Sequence, residues 1–82
     1  MKAFKDLKVG DNIYVCDQDN NKCVKIKITA IDDTEWEWLI KFYYGKSSYD
    51  YIAIFREELE LNNIRGIFAD TDSLLKYIED EH

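Results

Sequence analysis

Val24-Lys25-Ile26-Lys27-Ile28-Thr29 alternates apolar and polar residues without a break. A period of two is the pattern of a strand with one dry face and one wet face. It predicts Val24, Ile26 and Ile28 pointing inward, with Lys25 and Lys27 in water. Asp32-Asp33-Thr34 reads as a turn, and a second alternating stretch follows from Glu35 to Tyr44. Trp36, Trp38, Ile40, Phe42 and Tyr44 fall on one face of it, and Glu35, Glu37, Leu39, Lys41 and Tyr43 on the other. Together the two strands predict a core containing Val24, Ile26, Ile28, Trp38, Ile40 and Phe42, with Trp36 and Tyr44 on the same inner face.

Working outward, Ile13-Tyr14-Val15-Cys16 is β-branched and aromatic and predicts a strand before the polar loop 17–22. Gly45-Lys46-Ser47-Ser48 predicts a hairpin loop leading into a strand from Tyr49 to Phe55. Both faces of that strand are apolar, so its orientation stays open. Glu57 to Leu61 fits a helical turn or a strand continuation. Asn62-Asn63 is a turn signal, and Ile64 to Ala69 predicts a fifth strand. Asp70 or Thr71 is a suitable helix N-cap, and Leu74, Leu75 and Ile78 share one helical face. The prediction is a mainly β domain spanning residues 1–82. Its architecture is a small five-stranded antiparallel SH3-like barrel or strongly bent sheet, with a C-terminal helix over about 71–80 docked through Leu74, Leu75 and Ile78.

Leu7-Lys8-Val9-Gly10-Asp11-Asn12-Ile13-Tyr14-Val15 resembles the opening strand of SH3-like barrels, where a Gly-Asp turn precedes a β-branched strand. The stretch from Ile67 to Ile78 is similar to the close of small uncharacterised bacterial and phage proteins, in which a strand runs into a capped helix. The resemblance implies an SH3-like barrel with a C-terminal helix. One function it suggests is a phage- or mobile-element-encoded inhibitor of a host protein. The barrel itself hosts many functions and fixes none.

The formal charge of −6 is unevenly placed. Residues 1–48 balance eight Lys against eight acids, and residues 49–82 set three bases against nine acids. An acidic chain is a poor general ligand for nucleic acid or anionic membranes. No apolar run reaches the ~20 residues that cross a bilayer, and the N-terminus has no apolar stretch of the signal-peptide kind. The expected compartment is the cytoplasm. There, Cys16 and Cys23 are expected as free thiols, although strand alternation allows them to sit opposite each other within disulfide range.

Catalytic chemistry finds little support. The single His is terminal His82, no Ser has a base beside it, and three glycines make no phosphate loop. Asp17, Asp19 and Asn21 have the opening spacing of a calcium loop, but Lys22 and Ile28 stand where a Gly and a closing Glu are needed. A polar hairpin loop explains them. The expectation is a non-enzymatic domain without cofactor or metal.

Twelve aromatic residues exceed what a small barrel interior holds. Exposed Tyr and Trp are enriched in protein interfaces. The leading expectation is a protein-binding surface containing Tyr43, Tyr49 and Tyr51, flanked by Asp50 and Glu58. The alternative is a nucleic-acid surface built from Lys22, Lys25, Lys27, Lys41 and Lys46.

Overall fold

The computed structural model describes residues 2–17, 19 and 22–80. Seven strands form two antiparallel sheets: β1 (Asn12–Asp17), β2 (Lys22–Lys27), β3 (Ala30–Asp32), β4 (Leu39–Tyr43), β5 (Tyr51–Phe55), β6 (Asn63–Ile64) and β7 (Ile67–Phe68). A ten-residue helix, α1 (Thr71–Asp80), closes the chain. The strand orders are β2-β1-β7-β6 and β3-β4-β5. The β-rich class and the helix match the sequence reading. The closed five-stranded barrel does not: no ladder joins the two sheets, and the strands number seven among the described residues.

Two local events account for the difference in number. The predicted second strand runs on through residues 22–32 but changes partners at its middle. Ile28 donates its N–H to the Asp11 carbonyl at 2.8 Å, and the next residue, Thr29, donates to the Tyr43 carbonyl at 2.8 Å. Successive N–H groups of an extended chain point to opposite sides, so β1 and β4 flank this chain on opposite edges. The strand bends there and serves one sheet with its first half and the other with its second. The predicted fifth strand folds on itself instead. Arg65 (φ +50°) and Gly66 (φ +82°) take the left-handed conformation of a two-residue hairpin turn between β6 and β7. A side chain at Gly66 would meet the Cys16 carbonyl oxygen at 2.9 Å, so the turn packs its backbone directly on β1.

The main core lies between the sheets. Phe4, Leu7, Ile13, Ile28, Ile40, Phe42, Ile54, Ile64 and Ala69 are buried in one cluster, with Ile26, Ile31, Ile52 and Ile67 packed against it. Phe4 and Lys5 donate backbone hydrogen bonds to the Leu61 and Leu59 carbonyls, which draws the N-terminal 3-10 turn over the open end of the core. Of the predicted core, Ile28, Ile40 and Phe42 are buried and Ile26 is half-buried. Val24 is 57% exposed and Trp38 55%. Val24 points to the same face as Ile26, so the register is right; it lies nearer the hairpin tip, beyond the reach of the core. Trp36 and Tyr44 are exposed as well. Regular pairing in β4 begins only at Leu39, and the alternation rule has no force on the turn before it.

The orientation of β5 is now fixed: Ile54 is fully buried, and Tyr51 and Phe55 face outward. Residues 56–58 form a 3-10 turn. Helix α1 starts on the Asp70 cap, whose Oδ1 accepts the Ser73 N–H at 2.8 Å. It packs on β7, and Ser73 is buried. The expected docking stripe is corrected here. Leu74 is half-buried, but Leu75 and Ile78 are exposed, because α1 meets the body beside β7 and its later turns run past it.

Candidate functional site

The outer face of the β3-β4-β5 sheet carries the largest grouping of exposed rings. The ladder pairs Tyr43 with Tyr51, Lys41 with Ala53 and Leu39 with Phe55, which sets these side chains in three rows on one face. Tyr43 and Tyr51 lie with ring centroids 5.5 Å apart. At the other end Trp38 stacks on Phe55 at 5.7 Å, and Trp36 tilts against Trp38 at 5.8 Å. Ring pairs at these separations and angles are attractive beyond the area they bury.

Charged groups organise the face. Arg56 donates through Nη2 to the carbonyls of Asp33 and Trp36, which ties the loop before β4 to the end of β5. The same loop is shaped by Asp32, whose Oδ1 accepts the Thr34 N–H and hydroxyl and the Glu35 N–H. The Thr34 N–H bond leads in holding the Asp32 carboxyl below its ordinary range. Lys41 lies across the middle of the face, 2.8 Å from the Glu35 carboxylate and 4.8 Å from the centre of the Tyr51 ring. The bond to Glu35 raises its pKa above the ordinary lysine value. Trp38, Phe55, Arg56 and Glu57 line a shallow cleft of about 330 Å³, with the exposed carboxylate residues Asp33, Glu35 and Glu37 in the neighbouring loop.

The residues expected from sequence are placed as follows. Tyr43 and Tyr51 come together on this face, and Tyr49, 86% exposed, stands on the loop that precedes β5. Asp50 is half-buried in the hairpin loop, where a side chain at Gly45 would collide with it. Glu58 sits at the opposite end of β5, accepting the Phe55 N–H and pairing with Arg65 at 3.1 Å. Glu58 thus closes its turn with its carboxylate, and Asp50 closes the hairpin loop with its backbone, accepting the Tyr44 N–H and donating to the Ser47 carbonyl. The five lysines divide. Lys22, Lys25 and Lys27 lie exposed along β2, whereas Lys41 belongs to the other sheet and Lys46 to its hairpin loop, exposed near Tyr43. Trp36, Trp38, Phe55 and Arg56 were not among the sequence candidates. The acids interleaved with the two tryptophans were the available signal, and alternation masked it by assigning both rings to the core.

Cys16 and Cys23 are directly paired across β1 and β2 and form a disulfide, which corrects the free-thiol expectation. Cys16 gives its N–H to Gly66, away from β2, so the two cysteines occupy a non-hydrogen-bonded pair, the closer of the two antiparallel spacings. Of the residues with calcium-loop spacing, Asp17 accepts the Asp19 N–H at 2.9 Å, a bond within the hairpin loop, and Asn21 lies outside the described residues, as does His82. Among the described residues, no helix is long and apolar enough to cross a membrane. No protein-family model, curated protein or solved structure matches the chain.

Proposed function

We propose that this domain is a non-enzymatic binding module, whose docking surface is the aromatic outer face of the β3-β4-β5 sheet. Its partner is a protein that presents lysine or arginine side chains. The observation that carries the reading is the run of four outward rings, Trp36, Trp38, Phe55 and Tyr51, each at least 36% exposed on one side of one sheet. Large rings left in water at a single place are a common mark of an interface. Glu37 and Glu57 beside the tryptophans supply the complement to a cation, and indole faces attract cations directly. Arg56 is spent on the carbonyls of its own loop, which fixes the rings in advance of binding and reduces the ordering a partner must impose.

The test begins with tryptophan fluorescence during titration with a short Arg- and Lys-containing peptide, then with a partner identified by cross-linking. Trp38→Ala should weaken binding by about 30-fold or more, the loss typical of a buried aromatic anchor, with the fold intact by circular dichroism. Added salt should mainly slow association. Equal binding by Trp38→Ala, or micromolar binding of single-stranded oligonucleotides lost in Lys25→Glu/Lys27→Glu, overturns the proposal.

A further inference from the structure

The second surface is an edge. Strand β2 is the outermost member of its sheet, and its hydrogen-bonding directions follow from two bonds already described. Cys16 turns its N–H toward Gly66, so its partner Cys23 turns its own backbone groups away from β1. Ile28 directs both N–H and C=O to the β1 side, bonding Asp11 and Gly10. Between these fixed points the alternation is determined. The N–H and C=O of Cys23, Lys25 and Lys27 face the open edge, and among the described residues no strand lies there.

We infer that this edge binds an extended, acidic peptide segment of a partner protein by strand addition. Three features select that occupant. The edge is a regular strand with three outward-facing peptide units spaced for a partner strand, and main-chain bonding of this kind gives affinity without sequence demands. The Cys16–Cys23 disulfide staples it to β1 and fixes its register. Exposed Lys25 and Lys27 stand on one face of it, opposite Tyr14 and Asn12 rather than any carboxylate. An incoming strand with acids at alternate positions places opposite charges side by side, which is favourable, whereas a second copy of β2 would set lysine against lysine. The lysines therefore resist self-pairing, as lysines on edge strands do, and favour an acidic guest. This surface is independent of the aromatic face.

The probe is a synthetic peptide, Thr-Glu-Val-Glu-Val-Glu-Thr, with its Lys-for-Glu counterpart as control. Amide exchange followed by NMR on the wild-type, disulfide-bonded protein should show the peptide slowing exchange at Cys23, Lys25 and Lys27 and leaving Val24 and Ile26 unchanged. The Lys counterpart should have no effect. Lys25→Thr removes the charge alone and should weaken binding several-fold. Lys25→Pro also removes the outward N–H, at an edge position where proline is tolerated, and should abolish it. Three results overturn the inference: no alternate protection in the wild type, equal binding by the Thr and Pro variants, or a single-stranded oligonucleotide bound at the same lysines in preference to the peptide. The exchange pattern of the wild type decides the matter even if Lys25→Pro does not fold.

Discussion

The β4-β5 pair and the β1-β2 pair are both antiparallel ladders of five or six residues, yet they are held by different means. In β4-β5 the inward residues Ile40, Phe42, Ile52 and Ile54 join the main core, and the outer face carries its rings with Lys41 lying across them. In β1-β2, Ile13 and Ile26 reach the core, but Val15 is half-buried and Val24 is exposed. Packing fades along the hairpin, and the disulfide at Cys16–Cys23 lies in the part where it fades. A ladder whose inward face loses its cover toward the tip needs another constraint there to stay in register, and here that constraint is covalent, through a buried Cys16.

The most severe way to break the contrast is at the buried end. Ile54→Ala removes a fully buried side chain and should cost about 2–5 kcal/mol, measured by urea unfolding. Val24→Ala, on the exposed tip, should change stability by less than about 0.5 kcal/mol. Equal losses at the two sites would show that the hairpin tip is as well packed as the core.

Next in size is the staple. Loop-closure entropy for a seven-residue separation gives about 2.5 kcal/mol, so reduction should lower the melting temperature and speed amide exchange by local fraying at the β1-β2 tip, around Cys16 and Cys23, more than in β4-β5, while the two sheets still unfold together. Cys16→Ser with Cys23→Ser should reproduce it without reductant. Uniform acceleration across both sheets would mean that the bond stabilises the whole molecule and not the hairpin.

The smallest effect concerns the join of helix and body. Asp70 accepts the N–H groups of Ser73 at 2.8 Å and Lys2 at 2.6 Å. Partial burial pushes its pKa upward, but these hydrogen bonds outweigh it and hold the carboxyl below the ordinary value. The folded pKa is lower than the unfolded one, so its contribution is complete above about pH 4 and disappears as pH falls through the folded value. Asp11, held down by the Lys8 N–H and by Lys2, behaves in the same sense. Asp70→Ala should cost about 1 kcal/mol at pH 7 and flatten the acid limb of a stability-against-pH curve. An unchanged acid limb would assign that limb to other carboxylates.

Sequence pattern identified the strands where it was backed by burial. Ile40 and Phe42 alternate in earnest because β4 is paired on both sides. The same alternation extended backward to Trp36 and Trp38 failed, since a loop governed by Asp32 and Arg56 obeys local hydrogen bonds and not the pleat. The Arg65-Gly66 turn was overlooked because Ile64, Ile67 and Phe68 read as one apolar run, and only the backbone angles divide it. The helix was found from its cap and stripe, but the stripe could not say how far the body extends beneath it. For the candidate surface, Tyr43 and Tyr51 were legible from an excess of rings over core volume. The tryptophan end was hidden because alternation assigned Trp36 and Trp38 to the inner face, where the loop does not place them.

The strand that bends at Ile28 and Thr29 has a consequence for how the molecule comes apart. Adjacent peptide units there hold different sheets, so there is no seam at which one sheet can melt while its neighbour persists. Loosening the Ile28 bond to Asp11 removes the anchor of a fully buried side chain that both sheets pack against. Unfolding should therefore run as a single cooperative event with coincident transitions in every optical probe, and the short strands of both sheets should be lost together.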